Sequence, residues 1–150
     1  MKRLVLPLLL SVFSVVVFAQ NAGKVEGIWL TQDRDSRIEI RKTTSGTFEG
    51  AIVWLKKPNE SDGSDKRDKN NPDESLKKRQ LIGLKLLDGL KYDADDKEWN
   101  GGTIYDPQTG NTYKCYMWFE KDLDVLHVKG YIGISVLGRK VEWKRVDQSS

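Results

Sequence analysis

Residues 98–119 read EWNGGTIYDPQTGNTYKCYMWF, and their reading decides the fold. Two runs, 98–105 and 112–119, carry the aromatic and β-branched residues that suit a pleated surface. Between them Asp106-Pro107-Gln108-Thr109-Gly110 is a turn sequence. The unit therefore predicts an antiparallel hairpin. Working outward, similar runs occur at 27–31, 37–42, 47–56, 84–92, 125–132 and 139–146, mostly joined by connections of hairpin length. Eight such strands, each with one apolar face, predict an all-β, up-and-down antiparallel barrel. A two-sheet sandwich is the rival, but its crossing connections need longer loops.

The exception lies at 57–80. Residues 58–69 carry Ser, Asp, Gly and Lys without an aromatic side chain, which predicts a mobile, solvated loop. Asn71-Pro72-Asp73-Glu74 then reads as a helix start, with Asn71 as cap, Pro72 in the first turn and two acids at the positive end of the dipole. One short helix through Arg79 is expected there.

Residues 1–19 read as a secretory signal. Lys2 and Arg3 precede an apolar run, and Val17-Phe18-Ala19 sets small residues before a cleavage point ahead of Gln20. The run is too short for a retained span, which needs about 20 apolar residues. Residues 20–26 are then a lead-in, 27–146 the barrel domain and 147–150 a tail, and the product is exported to the periplasm or beyond. Of the 25 basic residues, Lys2 and Arg3 leave with the signal, so 23 remain against 22 acidic ones, a net charge of +1. A chain so nearly neutral has no bulk field for nucleic acid or anionic lipid, and cleavage leaves no integral membrane contact.

Side-chain alternation places Trp29, Ile38, Ile40, Phe48, Ile52, Trp54, Leu84, Leu86, Thr103, Tyr105, Tyr113, Cys115, Met117, Leu126, Val128, Val141 and Trp143 inside. The opposite parity carries mostly Lys, Arg and Glu, and puts His127 on the surface. Asp88 falls at an inward parity, where Asp88-Gly89 marks a bulge or sends a carboxylate into the interior. Arg145 shares parity with Val141 and Trp143, so its guanidinium is expected across an indole face near the barrel end.

Little catalytic chemistry is legible. A single Cys115 excludes an internal disulfide and a thiolate zinc site, and a single His127 excludes a multi-histidine site. Asp62, Asp65, Asp68 and Asp73 lack the register of a calcium-binding hand and read as a solvated charge run. No nucleophile elbow, phosphate loop or dinucleotide fingerprint occurs. No catalytic residue, metal ligand or cofactor is therefore expected.

Gly27-Ile28-Trp29 on the first strand, paired with Arg145 on the last, resembles the signature of calycin barrels, in which this pair closes the base. From Gly27 to Val146 the chain also resembles the bacterial domain of unknown function 2147 family, a lipocalin-like group. That resemblance rests on Gly50-Ala51-Ile52-Val53-Trp54-Leu55, Asn71-Pro72-Asp73, Leu81-Ile82-Gly83-Leu84, Gly101-Gly102-Thr103-Ile104-Tyr105-Asp106-Pro107, Lys129-Gly130-Tyr131-Ile132-Gly133, Leu137-Gly138-Arg139 and Trp143-Lys144-Arg145-Val146. Lys78 and Gln80 depart from the family pattern around Arg79, which implies a more helical connection. The resemblance implies a lipocalin-like fold and export, and no established role.

Three readings of function follow. The first is a non-enzymatic barrel that binds a small apolar or amphipathic ligand through Trp54, Tyr105, Asp106, Met117, Tyr131 and Arg139. The second is a filled barrel that meets an envelope protein or a second copy through Tyr116 and Trp118 beside Val53 and Leu55. The third, an acid–base enzyme, would use Asp106, Tyr105 and Arg139.

Overall fold

Eight antiparallel strands close into one barrel, each paired with its neighbour in the chain and the last with the first. The computed structural model describes residues 17, 19–133 and 138–147. Most of the expected signal segment, and residues 148–150 of the expected tail, lie outside the described residues. The strands are β1 (Gly27–Leu30), β2 (Ser36–Lys42), β3 (Phe48–Leu55), β4 (Lys85–Asp93), β5 (Glu98–Asp106), β6 (Asn111–Phe119), β7 (Val125–Tyr131) and β8 (Gly138–Arg145). Closure sets Trp29 opposite Arg145 and Leu30 opposite Lys144. A closed barrel leaves no long unpaired edge, so the short β1 is not exposed to edge-to-edge aggregation.

Bulges overturn the alternation at several positions, because one extra residue moves every following side chain to the other face. On β3, Ile52 pairs with Ile38 but Trp54 pairs with Arg37, so Val53 is skipped. Trp54 therefore lies outside, with the Arg37 guanidinium 4.9 Å above its ring. On β5, Trp99 pairs with Met117 and Gly102 with Cys115, so the extra residue falls at Gly101-Gly102. Thr103 turns to solvent, while Trp99 and Gly102 are buried and Ile104 is half-buried. On β4 the fully buried residues are Leu87 and Leu90, with Leu86 half-buried beside them. Asp88 points outward to Lys85 at 3.3 Å, next to Gly89 with φ +69°.

His127 keeps its outward parity but not the expected exposure. It stacks on Trp118 at 5.2 Å, lies between Glu120 and Glu142 at 3.6 Å each, and is buried. Val53 on β3 and the Tyr116–Trp118 pair on β6 lie on strands that are not neighbours, and Leu55 packs into the core. They do not form the single patch the sequence suggested.

The two ends differ in filling. At one end a 3-10 turn (Gly23–Val25) lies across the barrel, and Val25 is fully buried. Trp99 packs there against Phe48, Tyr92 and Phe119, and Trp29 against Phe119. The other end is open.

Candidate functional site

The open end leads into a cavity of about 1090 Å³. Its walls are apolar because the inward residues of the upper halves of the strands are: Ile52, Leu55, Leu86, Ile104, Val128, Val141 and Trp143. Its rim is polar, with Asp33, Asp35, Glu60, Lys66, Arg67, Lys69, Asp106 and Arg139. Apolar walls with a few polar groups at the entrance are the usual composition of a small-molecule pocket.

The long connection between β3 and β4 forms one side of that rim, and it is built rather than loose. Its expected helix shrinks to a 3-10 turn (Glu74–Leu76), capped by Asp73, whose side chain accepts from the Ser75 amide. Two short bridges, Asn59 with Asp65 and Arg67 with Gln80, organise the rest. Gln80 thus serves pairing, not a longer helix.

At the centre is Asp68, which sequence reading placed in a solvated run. Its side chain is fully buried. Oδ1 accepts from the Tyr105 hydroxyl at 2.6 Å, and Oδ2 accepts from Asn71 at 2.8 Å and from Arg79 Nε at 2.9 Å. Arg79 Nη2 stands 2.8 Å from the same Oδ2. A buried carboxylate is tolerable only with such partners. Burial first, then the Asp68 carboxylate, pushes the Tyr105 hydroxyl up to about 12. A second tie is made by Asn70, whose side-chain amide donates to the Pro107 and Gln108 carbonyls at 3.1 and 2.8 Å. Gly110, with φ +76°, accepts the approach of this loop, since a Cβ there would stand 2.0 Å from the Asn70 carbonyl.

The six expected ligand contacts separate. Tyr105, Asp106 and Arg139 border the cavity. Asp106 is already engaged by its turn, accepting from the Gln108 amide and the Thr109 hydroxyl at 2.9 and 3.0 Å. Arg139 lies 3.8 Å from the equally exposed Asp33, a loose pair. Tyr131 borders the rim, but its ring meets Tyr116 edge to face at 5.8 Å, on the outward parity of β7. Met117 is fully buried in the core and does not line the cavity. Trp54 stands outside the barrel, as described above.

Away from the cavity, the Arg145 guanidinium lies 4.2 Å over Trp29 and donates to the carbonyls of Lys24, Glu26 and Leu123 and to Asp124. Gly27 admits it, since a Cβ there would be 2.9 Å from Nη1. These three residues belong to the closed end.

Sequence reasoning missed Asp68 and Asn71 as partners of Tyr105. The one available signal was the apolar-flanked Tyr105 hydroxyl, which needs a partner when half-buried. Among the described residues no group of three His, Cys, Asp or Glu side chains could hold a metal ion. No helix among them is long and apolar enough to cross a membrane.

Comparison with known proteins agrees with this architecture. A solved structure described as "Protein HP1028 from the human pathogen Helicobacter pylori belongs to the lipocalin family" superposes with a TM-score of 0.67 at 25% identity, covering 83% of this chain and 84% of that one. No curated protein sequence matches the chain. The family model described as "Uncharacterized protein conserved in bacteria (DUF2147)" matches residues 27–145, nearly the whole barrel. The chain is therefore a lipocalin-like barrel that belongs to this bacterial family.

Proposed function

We propose that the chain is an exported, non-enzymatic binding protein whose barrel holds a small apolar or amphipathic ligand. The observation that carries this reading is the cavity of about 1090 Å³ behind a polar rim. An eight-stranded barrel has room either for its own side chains or for one small ligand. Here the large aromatics Trp29, Phe48 and Trp99 crowd one end, and Trp54 is outside, so the other end stays unfilled. The lipocalin description of the similar structure supports the same reading. Removal of residues 1–19 would deliver the barrel to the envelope, and the mature N-terminus is expected at Gln20.

The test is binding of an anionic, environment-sensitive anilinonaphthalene sulfonate dye to the mature protein and to Ile104→Glu. Ile104 is a cavity-wall residue, so the carboxylate stands in the apolar space and repels the dye without touching the closed end. Dye fluorescence is expected to rise with the wild-type protein and to be lost in the variant at unchanged folding. Equal binding by both would place the dye elsewhere and overturn the reading.

A further inference from the structure

Three tryptophans are buried in this barrel: Trp29, Trp99 and Trp143. Two have acceptors supplied by the N-terminal turn. Trp29 Nε1 donates to the Val25 carbonyl at 2.9 Å, and Trp99 Nε1 to the Ala22 carbonyl at 3.0 Å. Trp143 is only 4% exposed, and among the described residues no acceptor takes its indole N–H. That N–H is not sealed in protein, as the orphaned Arg37 Nε and His127 Nδ1 are. Trp143 lines the cavity, two residues along β8 from the Arg145 that covers Trp29, so it stands where the packed end meets the open one.

We propose that the ligand of this cavity carries a hydrogen-bond-accepting oxygen, a carbonyl, ether or hydroxyl, which seats on Trp143 Nε1–H at the floor. The inference rests on the binding reading above and narrows it from an apolar or amphipathic ligand to one whose oxygen lies at the floor. An indole N–H left dry carries an uncompensated desolvation penalty. A pure hydrocarbon that fills the cavity would impose that cost or trap a water, whereas an oxygen at the floor removes it. A site built with an unpaired donor rejects analogues that lack the acceptor.

Menthone and menthane share one carbon skeleton and differ by a carbonyl oxygen, so their binding isolates the contact. Headspace partitioning over the mature protein gives both affinities, and their partition between water and a liquid alkane gives the reference ratio. The wild-type protein is expected to favour menthone over that reference by roughly two- to tenfold, the range of a net hydrogen bond. Trp143→Phe and Trp143→Leu are expected to return the ratio to the alkane value while menthane still binds. Because the wild-type ratio is itself a test, failure of either variant to fold leaves the inference decidable. Binding of both compounds at the alkane ratio would overturn it and leave the binding reading standing. If neither compound bound while the dye test above succeeded, this inference alone would fall; failure of both tests would remove the binding reading as well.

Discussion

Trp99 and Trp143 are both buried indoles of one barrel, yet their surroundings have little in common. Trp99 is enclosed by Phe48, Tyr92 and Phe119 and bonds the Ala22 carbonyl. Trp143 borders open space and bonds nothing among the described residues. The closed end is held by chain that precedes the first strand, which brings carbonyls and Val25 into the barrel. The open end is bounded by the β3–β4 connection, which contributes polar groups to the rim and holds itself in place through one buried carboxylate. One barrel thus joins a packed half to an unfilled one.

The largest expected effect breaks the packed half. Trp99→Ala should cost about 3–5 kcal/mol, the usual range for a large aromatic truncated in a core. Ile104→Ala at the cavity wall should cost clearly less, because Ile104 already faces space on one side. Urea melts of the two variants measure the contrast, and equal losses would remove it.

Next comes Arg145→Ala, expected to lose about 2–4 kcal/mol. The cation–π contact supplies part, and the carbonyls of Lys24, Glu26 and Leu123 lose their shared donor. Arg145→Lys should recover only a fraction, since an ammonium cannot lie flat on the indole and reach all three. Ligand affinity should be unchanged in both, measured on folded protein.

The contrast between the ends also explains what the sequence made legible. Strand number, order and the meeting of Trp29 with Arg145 follow from turn residues and motif spacing, which are local or end-to-end signals. On the strands that carry a bulge, the face of each residue was legible only as far as the bulge, whereas Cys115, Met117, Leu126, Val128 and Trp143 on the regular strands are buried as their alternation predicts. Trp54, Thr103 and Leu87 lie beyond or within bulges, and a strict period of two carries no sign of where one residue is skipped. Trp99, on β5 and of the same parity as Thr103, was not named among the inward residues, yet it is buried while the bulge between them turns Thr103 out. At the site, Tyr105, Asp106 and Arg139 were legible as strand-end polar groups that border the cavity. Asp68 was not, because its burial depends on partners 3, 11 and 37 residues away in the chain. A charge-rich composition describes the average of such a loop, not the one residue that turns inward.

A smaller effect sharpens the open end. Asp68→Asn should cost about 1–3 kcal/mol, since Arg79 loses its buried anion while the amide retains one acceptor. Trypsin should cut the variant faster than the wild-type protein at Lys66, Arg67 or Lys69, because their segment is held by that carboxylate. An unchanged digestion rate would show that Asn70 and the two bridges suffice to hold the loop.

Smallest at neutral pH is Tyr105→Phe, expected to cost about 1 kcal/mol for the lost hydrogen bond. Its larger signature is alkaline. The folded chain holds the Tyr105 proton to about pH 12, whereas the unfolded chain releases it near the ordinary value of 10. The corresponding stability is fully present below pH 10 and is lost as the pH rises to about 12. Burial pushes Cys115 from 9 up to about 12 in the same direction, and that contribution remains in the variant. Wild-type stability should therefore fall more steeply than that of Tyr105→Phe between pH 10 and 12 in denaturant titrations.

The division between a packed and an unfilled half is tested most directly by the indole N–H signals in a proton–nitrogen correlation spectrum of the mature protein during titration with menthone. The account predicts that the Trp143 signal moves, while those of Trp29 and Trp99, each already bonded to a carbonyl, stay in place. Movement of Trp29 or Trp99, or a Trp143 signal that stays in place, would contradict it.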